Sequence, residues 1–287
     1  MKYMIVADSS ANIFHLEGVN YTTVPMKIRT TVEYVDTPDM DLNAMVQDLK
    51  TFKDKSTSSC PNVQEWIDAF GDAEWVFCVT ITKHLSGSYN AAKQAVDIYM
   101  EEHPGRKGFV FDSLSAGPEL MMIVDKVREL ADAGNDFDTI RESVLDYSSN
   151  CHTMFCLESL TNLARNGRVS PAVAKVASVL GIRMVGCAIG GTIVPVQKPR
   201  GEKKALQALM QVVRDRGFRD GNLMRIAHCY APDKAEALME AVRAEFPNAR
   251  FIVEHTTALC SFYAEVGGLI VGFEGAYNDT NDKRQHQ

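Results

Sequence analysis

Short apolar runs alternate along the chain with longer stretches whose apolar residues recur every three to four positions, the pattern of an α/β protein. Residues 4–7, 75–81 and 108–111 are brief and rich in Val, Ile and Phe, and predict buried strands. Between them, 63–70 and 88–100 predict helices; in the second, Ala91, Ala92, Ala95, Val96 and Tyr99 fall on one face. Helices at 120–133 and 137–150 follow, parted by Gly134-Asn135-Asp136, where Gly ends one and Asp caps the next.

After residue 150 the texture changes. The pattern predicts a strand at 153–157, a short helix at 160–165, and a helix at 171–180 with Pro171 in its first turn. Strands at 183–188 and 192–196 flank Ile189-Gly190-Gly191, a hairpin signal. Helices at 202–214 and 232–246 then alternate with strands at 223–229, 250–254 and 268–273. The expectation is two α/β domains, a parallel-sheet one over 1–150 and a mixed one over 151–287.

A chain of 287 residues with 46% hydrophobic and 23% charged residues has the composition of a globular protein with a sizeable core. Its net charge of -7 gives no general attraction to phosphate backbones or anionic membranes, which argues against a nucleic-acid partner. The first apolar run stops at Asp8, and none reaches the roughly twenty residues of a membrane span, so a soluble cytoplasmic protein is expected. The seven cysteines are scattered, mostly within apolar runs, and read as reduced and buried. No C-x-x-C pair occurs, and Cys151-His152 and His228-Cys229 put neighbouring side chains on opposite faces of strands, so no metal site is expected.

Polar residues gather where predicted strands end: Asp8-Ser9-Ser10, the run from Thr82 to Ser88, and Asp112 to Ser115. In an open parallel sheet these ends form the ligand crevice, although Ser, Asp and Gly also simply terminate strands and cap helices. Ser86-Gly87-Ser88 is the sharpest signal, since it opens a helix whose free N–H groups favour an anion, and Gly87 permits close approach. It is neither a P-loop nor a nucleophile elbow, and a carboxylate suits it better than a triphosphate. Ser58-Ser59-Cys60-Pro61 adds hydroxyls just before the helix at 63, where a capping turn and a ligand contact are equal readings. Asn166-Gly167-Arg168 reads as a helix stop followed by one cation, and the segment from Lys198 to Lys204 is a basic cluster in an acidic chain.

Taken in order, these segments resemble the DegV family. Residues 5–12 are similar to its opening strand and Asp-Ser-Thr-Ala-Asp, Ser58 to Asn62 to its Thr-Ser-[Gln/Cys]-Pro-Ser turn, and Leu85 to Tyr89 to its Leu-Ser-Gly-Thr-Tyr. Phe111-Asp112-Ser113 resembles its Asp-Ser strand end, 163–170 its Leu-x-x-Gly-Gly-Arg-[Ile/Val]-Ser, and 200–205 its Arg-Gly-x-Lys-Lys-Ala. The resemblance implies a DegV-like two-domain fold with a long-chain fatty acid in an apolar tunnel at the domain junction. It also implies a separate fatty acid kinase that phosphorylates the presented carboxyl group, with no catalysis and no cofactor on this chain. By this analogy Ser58 and Ser86 bind the carboxylate, with Ser59 as substitute for Ser58, the Gly87 backbone nearby and Arg168 in support. Arg200, Lys203 and Lys204 would dock the kinase.

The chain departs from the family at 260–268, where many members carry Gly-Thr-His-x-Gly and the aligned residue here is Tyr263. A tyrosine hydroxyl donates to a carboxylate without the protonation change near neutrality that a histidine makes. Two other readings stay open. One is a hydrolase using Ser86 with His84 or His255 and Asp112, and the other a small polar metabolite binder on the same fold.

Overall fold

The computed structural model describes residues 2–177 and 181–276. Its strands before residue 150 are β1 (Tyr3–Asp8), β2 (Tyr21–Val24), β3 (Lys27–Arg29), β4 (Glu33–Val35), β5 (Thr57–Ser59), β6 (Trp75–Thr80) and β7 (Lys107–Asp112). After it come β8 (Cys151–Leu157), β9 (Met184–Ile189), β10 (Thr192–Gln197), β11 (Leu223–His228), β12 (Arg250–His255) and β13 (Leu269–Glu274). The helices are α1 (Leu42–Thr51), α2 (Val63–Phe70), α3 (Ser88–Glu102), α4 (Pro118–Asp132), α5 (Phe137–Ser149), α6 (Thr161–Arg165), α7 (Pro171–Ala177), α8 (Glu202–Asp215), α9 (Pro232–Glu245) and α10 (Ala258–Ala264).

The first sheet, ordered β2-β1-β6-β7, is parallel throughout. The second, ordered β10-β9-β8-β13-β11-β12, is antiparallel except for β11 with β12. A small antiparallel sheet, β4-β3-β5, stands beside them.

Helix α4 shows why the two large sheets stack. Leu120, Met121, Met122, Ile123 and Val124 are all buried, so the helix has no wet face along this stretch and belongs between layers. It packs on β1 and β6 of the first sheet and on β8, β11 and β13 of the second. Gly272 in β13 allows this, since a Cβ there would sit 2.7 Å from the Glu119 nitrogen at the start of α4. Helices α2 and α3 cover the outer face of the first sheet through Trp66, Phe70, Ala92, Val96 and Tyr99. Helices α8 and α9 cover the outer face of the second, around Leu209, Val213, Leu238 and Val242.

The pattern reading locates the long elements to within a few residues. It leaves 21–59 without elements and so misses β2 to β5, strands of three or four residues that are too short to show an alternation, as well as α1. It also misses α10, a single seven-residue helix. The helix expected at 171–180 is described as Pro171–Ala177, and residues 178–180 lie outside the described residues.

Candidate functional site

The carboxyl ends of the first sheet, the inner face of β8 to β10, the small sheet and α10 enclose a cavity of about 290 Å³. Its walls are mainly apolar, with Met26, Leu85, Phe155, Leu163, Leu259 and Ile270 among them. Ser58, Ser59, Ser86, Gly87, Arg168 and Tyr263, all singled out from the sequence, line this one cavity. They come from β5, the β6–α3 loop, the loop after α6, and α10.

Each is positioned by local chemistry. Ser58 pairs with Ile28 across β5 and β3, and its Oγ lies 2.7 Å from the Tyr263 hydroxyl. Gly87 is the N-cap of α3; a Cβ there would stand 3.2 Å from Cys60 Sγ, so the glycine lets these two loops close up. Ser86 Oγ accepts the Ser88 N–H at 3.3 Å, and Ser88 Oγ donates to Asp8 at 2.7 Å. Helix α6 ends in a Schellman turn, with Gly167 at φ 73° and the Arg168 N–H donating to Leu163 O at 2.8 Å. That turn aims Arg168 inward. Its Nε donates to Leu85 O at 3.2 Å, its Nη1 donates to Asn166 O, and its guanidinium carbon lies 5.9 Å from the Tyr263 ring centre. Arg168 is the one cation among the described residues lining the cavity. Burial pushes the thiol of half-buried Cys60 up, with only partial relief from backbone N–H groups, so this cysteine is held protonated.

Tyr263 depends on α10, and α10 depends on Asp36. This buried carboxylate accepts the Ala258 and Leu259 N–H groups at 2.9 and 3.1 Å, and the hydroxyls of Ser9 and Thr257 at 2.8 and 3.2 Å. Burial raises the Asp36 carboxyl and these donors pull it back. The strand end Asp8-Ser9-Ser10, expected on the ligand rim, is instead scaffold. All three residues are buried, and Asp8 holds the Ile81 N–H at 2.8 Å together with Ser10 and Ser88. Asp112 likewise turns to the N–H groups of Lys83 and Leu114, at 3.3 and 3.1 Å.

The hydrolase grouping does not assemble. Among the described residues no hydrogen bond joins Ser86 to a histidine, and His255 meets His228 edge to face across β11 and β12 with ring centres 4.2 Å apart. No group of three or more metal-ligating side chains occurs among the described residues, and no helix there is long and apolar enough to cross a membrane. Arg200, Lys203 and Lys204 do not line the cavity; they lie exposed around the start of α8. Thr82, in the strand-end run expected on the ligand rim, lines the cavity, whereas sequence reasoning missed the cavity residues Thr153 and Phe155. These two face inward from β8 at a two-residue spacing, a signal that a strand reading of 151–157 carries.

Comparison with known proteins agrees with this architecture. DegV domain-containing proteins of Streptococcus pneumoniae are 36% identical over 280 residues, covering 96% of this chain and 99% of theirs. A DegV family protein from Eubacterium eligens loaded with heptadecanoic acid superposes with a TM-score of 0.93 at 36% identity, over 96% of this chain and 100% of that one. The Streptococcus pneumoniae fatty acid kinase B3 protein loaded with linoleic acid gives 0.93 at 37% identity, with the same coverage. The model of the uncharacterised DegV family matches from residue 2 to residue 274, and with these relatives alike over nearly its whole length, the chain belongs to the DegV family.

Proposed function

We propose that the protein binds a long-chain fatty acid in this cavity and presents its carboxyl group to a separate fatty acid kinase for acyl-phosphate formation. The observation that carries the reading is the Ser58–Tyr263 hydroxyl pair, 2.7 Å apart, with Arg168 beside it, in the wall of a mainly apolar cavity. A carboxylate takes hydrogen bonds from such hydroxyls, and a cation offsets its charge. Ser86 and the Gly87 backbone, with Ser59 near Ser58, complete the head-group set in this reading.

An acyl tail supplies the affinity. Burying fourteen methylenes at about 0.8 kcal/mol each gives on the order of 11 kcal/mol before ordering costs. The solved DegV relatives loaded with heptadecanoic and linoleic acids support the ligand class, and the fatty acid kinase B3 protein among them supports the partner. In this reading the chain works in the cytoplasm as a carrier subunit, without catalysis and without a cofactor of its own. Arg200, Lys203 and Lys204 form the docking face for the kinase.

Native mass spectrometry of gently purified protein, followed by organic extraction, tests the ligand. A long-chain fatty acid in near-stoichiometric amount is expected. Protein that is empty and takes up no added fatty acid would overturn the carrier reading.

A further inference from the structure

The cavity wall carries a second set of hydroxyls that carboxylate binding does not use. Ser115 follows β7 and Thr153 lies in β8; both are almost fully buried and both line the cavity. Thr153 Oγ1 donates to Glu119 Oε2 at 2.6 Å, and Glu119, in the first turn of α4, is wholly buried. Ser115 Oγ and Thr153 Oγ1 are 2.5 Å apart.

A hydroxyl has one proton to give. With that of Thr153 committed to the carboxylate, Ser115 is the donor in its pair, and the relay runs from Ser115 through Thr153 to Glu119. Its outermost oxygen, Ser115 Oγ, keeps lone pairs and has no proton left to offer. Ser115 Oγ also lies 3.5 Å from Ala116 O, too long a contact to hold the loop. Its main chain is already held, the Ser115 carbonyl accepting from Thr82 N–H at 2.9 Å and the Ser115 N–H donating to Ser113 Oγ at 3.1 Å. An acceptor without a proton, set in the wall of an apolar cavity, is complementary to an O–H on the ligand. It gains nothing from an unsubstituted methylene chain, and it repels a carbonyl, which would set lone pair against lone pair.

We propose that the cavity takes a long-chain acid bearing a hydroxyl group part-way along its acyl chain, that hydroxyl donating to Ser115 Oγ. This rests on the reading of the cavity as a fatty acid site and names the class of fatty acid within it. Thr153 and Glu119 are positioning residues, since they act by fixing the direction in which Ser115 donates.

The test is a set of binding isotherms for octadecanoic acid and for its monohydroxy and oxo derivatives at successive chain positions, on wild type and Ser115→Ala. At one position the hydroxy acid should bind wild type about three- to tenfold more tightly than its oxo counterpart. The ratio of hydroxy-acid to octadecanoic-acid affinity at that position should fall by a similar factor in Ser115→Ala. Equal ratios in the two proteins at every position would overturn the inference while leaving fatty acid binding intact. Failure of every acid to bind, octadecanoic acid included, would overturn the fatty acid reading and this inference with it.

Discussion

A carboxylate entering the cavity would draw on hydroxyls that are already paired with each other. Ser58 and Tyr263 satisfy one another at 2.7 Å, so a ligand replaces that bond with two charge-assisted ones. Tyr263→Phe removes one of these and leaves the Ser58 hydroxyl alone, and should weaken fatty acid binding by about 1–2 kcal/mol. Unchanged affinity in a calorimetric titration would remove Tyr263 from the head-group site. Ser86→Ala should weaken binding by only about 1 kcal/mol, because the tail stays buried. Ester hydrolysis by wild type that disappears in this variant would instead favour the hydrolase reading. These side chains were visible in the sequence because short motifs mark them. Thr153 and Glu119 were not, since a buried hydroxyl and a buried carboxylate inside apolar runs look like interruptions until folding brings β8 against α4.

At the scale of elements, α10 shows what periodicity cannot reveal. Seven residues make too few turns to display a pattern, and the helix is fixed by Asp36, far away in sequence. Asp36→Ala would orphan two backbone donors and the Ser9 hydroxyl in a dry site, while Thr257 keeps Ser9 O and Asn12 Oδ1 as acceptors, and should cost roughly 3 kcal/mol of stability. Fatty acid affinity should fall as well, because Tyr263 rides on that helix; a denaturant titration alongside a binding isotherm reads both effects. The ends of β11 and β12 carry a pH response. Burial first, and the neighbouring His255 second, hold the His228 imidazole below the ordinary histidine value, while its Nδ1 accepts the Ala231 N–H at 3.3 Å. Because the folded value is depressed, the unfolded chain takes up the proton first. Stability present above about pH 6.5 is therefore lost as pH falls toward the lowered folded value. His228→Asn keeps an acceptor for Ala231 and has no such proton, so its melting temperature should fall less steeply over that interval. Parallel melting curves for the two proteins would remove His228 as the source.

For the molecule as a whole, the order of layers was legible only in part. Buried strands and amphipathic helices could be read along the chain, but a helix such as α4, buried on every side along 120–124 and charged beyond it, does not announce that it separates two sheets. The cavity could not be read from local pattern because its walls come from segments before and after residue 150. The same architecture puts the basic cluster on a surface of its own, at the start of α8 and off the cavity lining. Lys203→Glu with Lys204→Glu tests its role cleanly. Acidic side chains in the first turn of a helix are compatible with its dipole, so α8 should persist. The ion pairs of that neighbourhood belong to other side chains, with Glu202 and Glu158 facing Arg183 and Lys234. If the cluster docks a kinase, the double reversal should slow association. The defect should be largest in dilute buffer, because exposed charges steer encounter over about a Debye length, roughly 10 Å at 0.1 M salt. Fatty acid affinity should not change, since neither side chain lines the cavity. Association rates against a fatty acid kinase at two salt concentrations, with lipid affinity measured in parallel, decide the matter. Equal rates for both proteins would remove the docking role, and a loss confined to lipid binding would place the cluster at the ligand site.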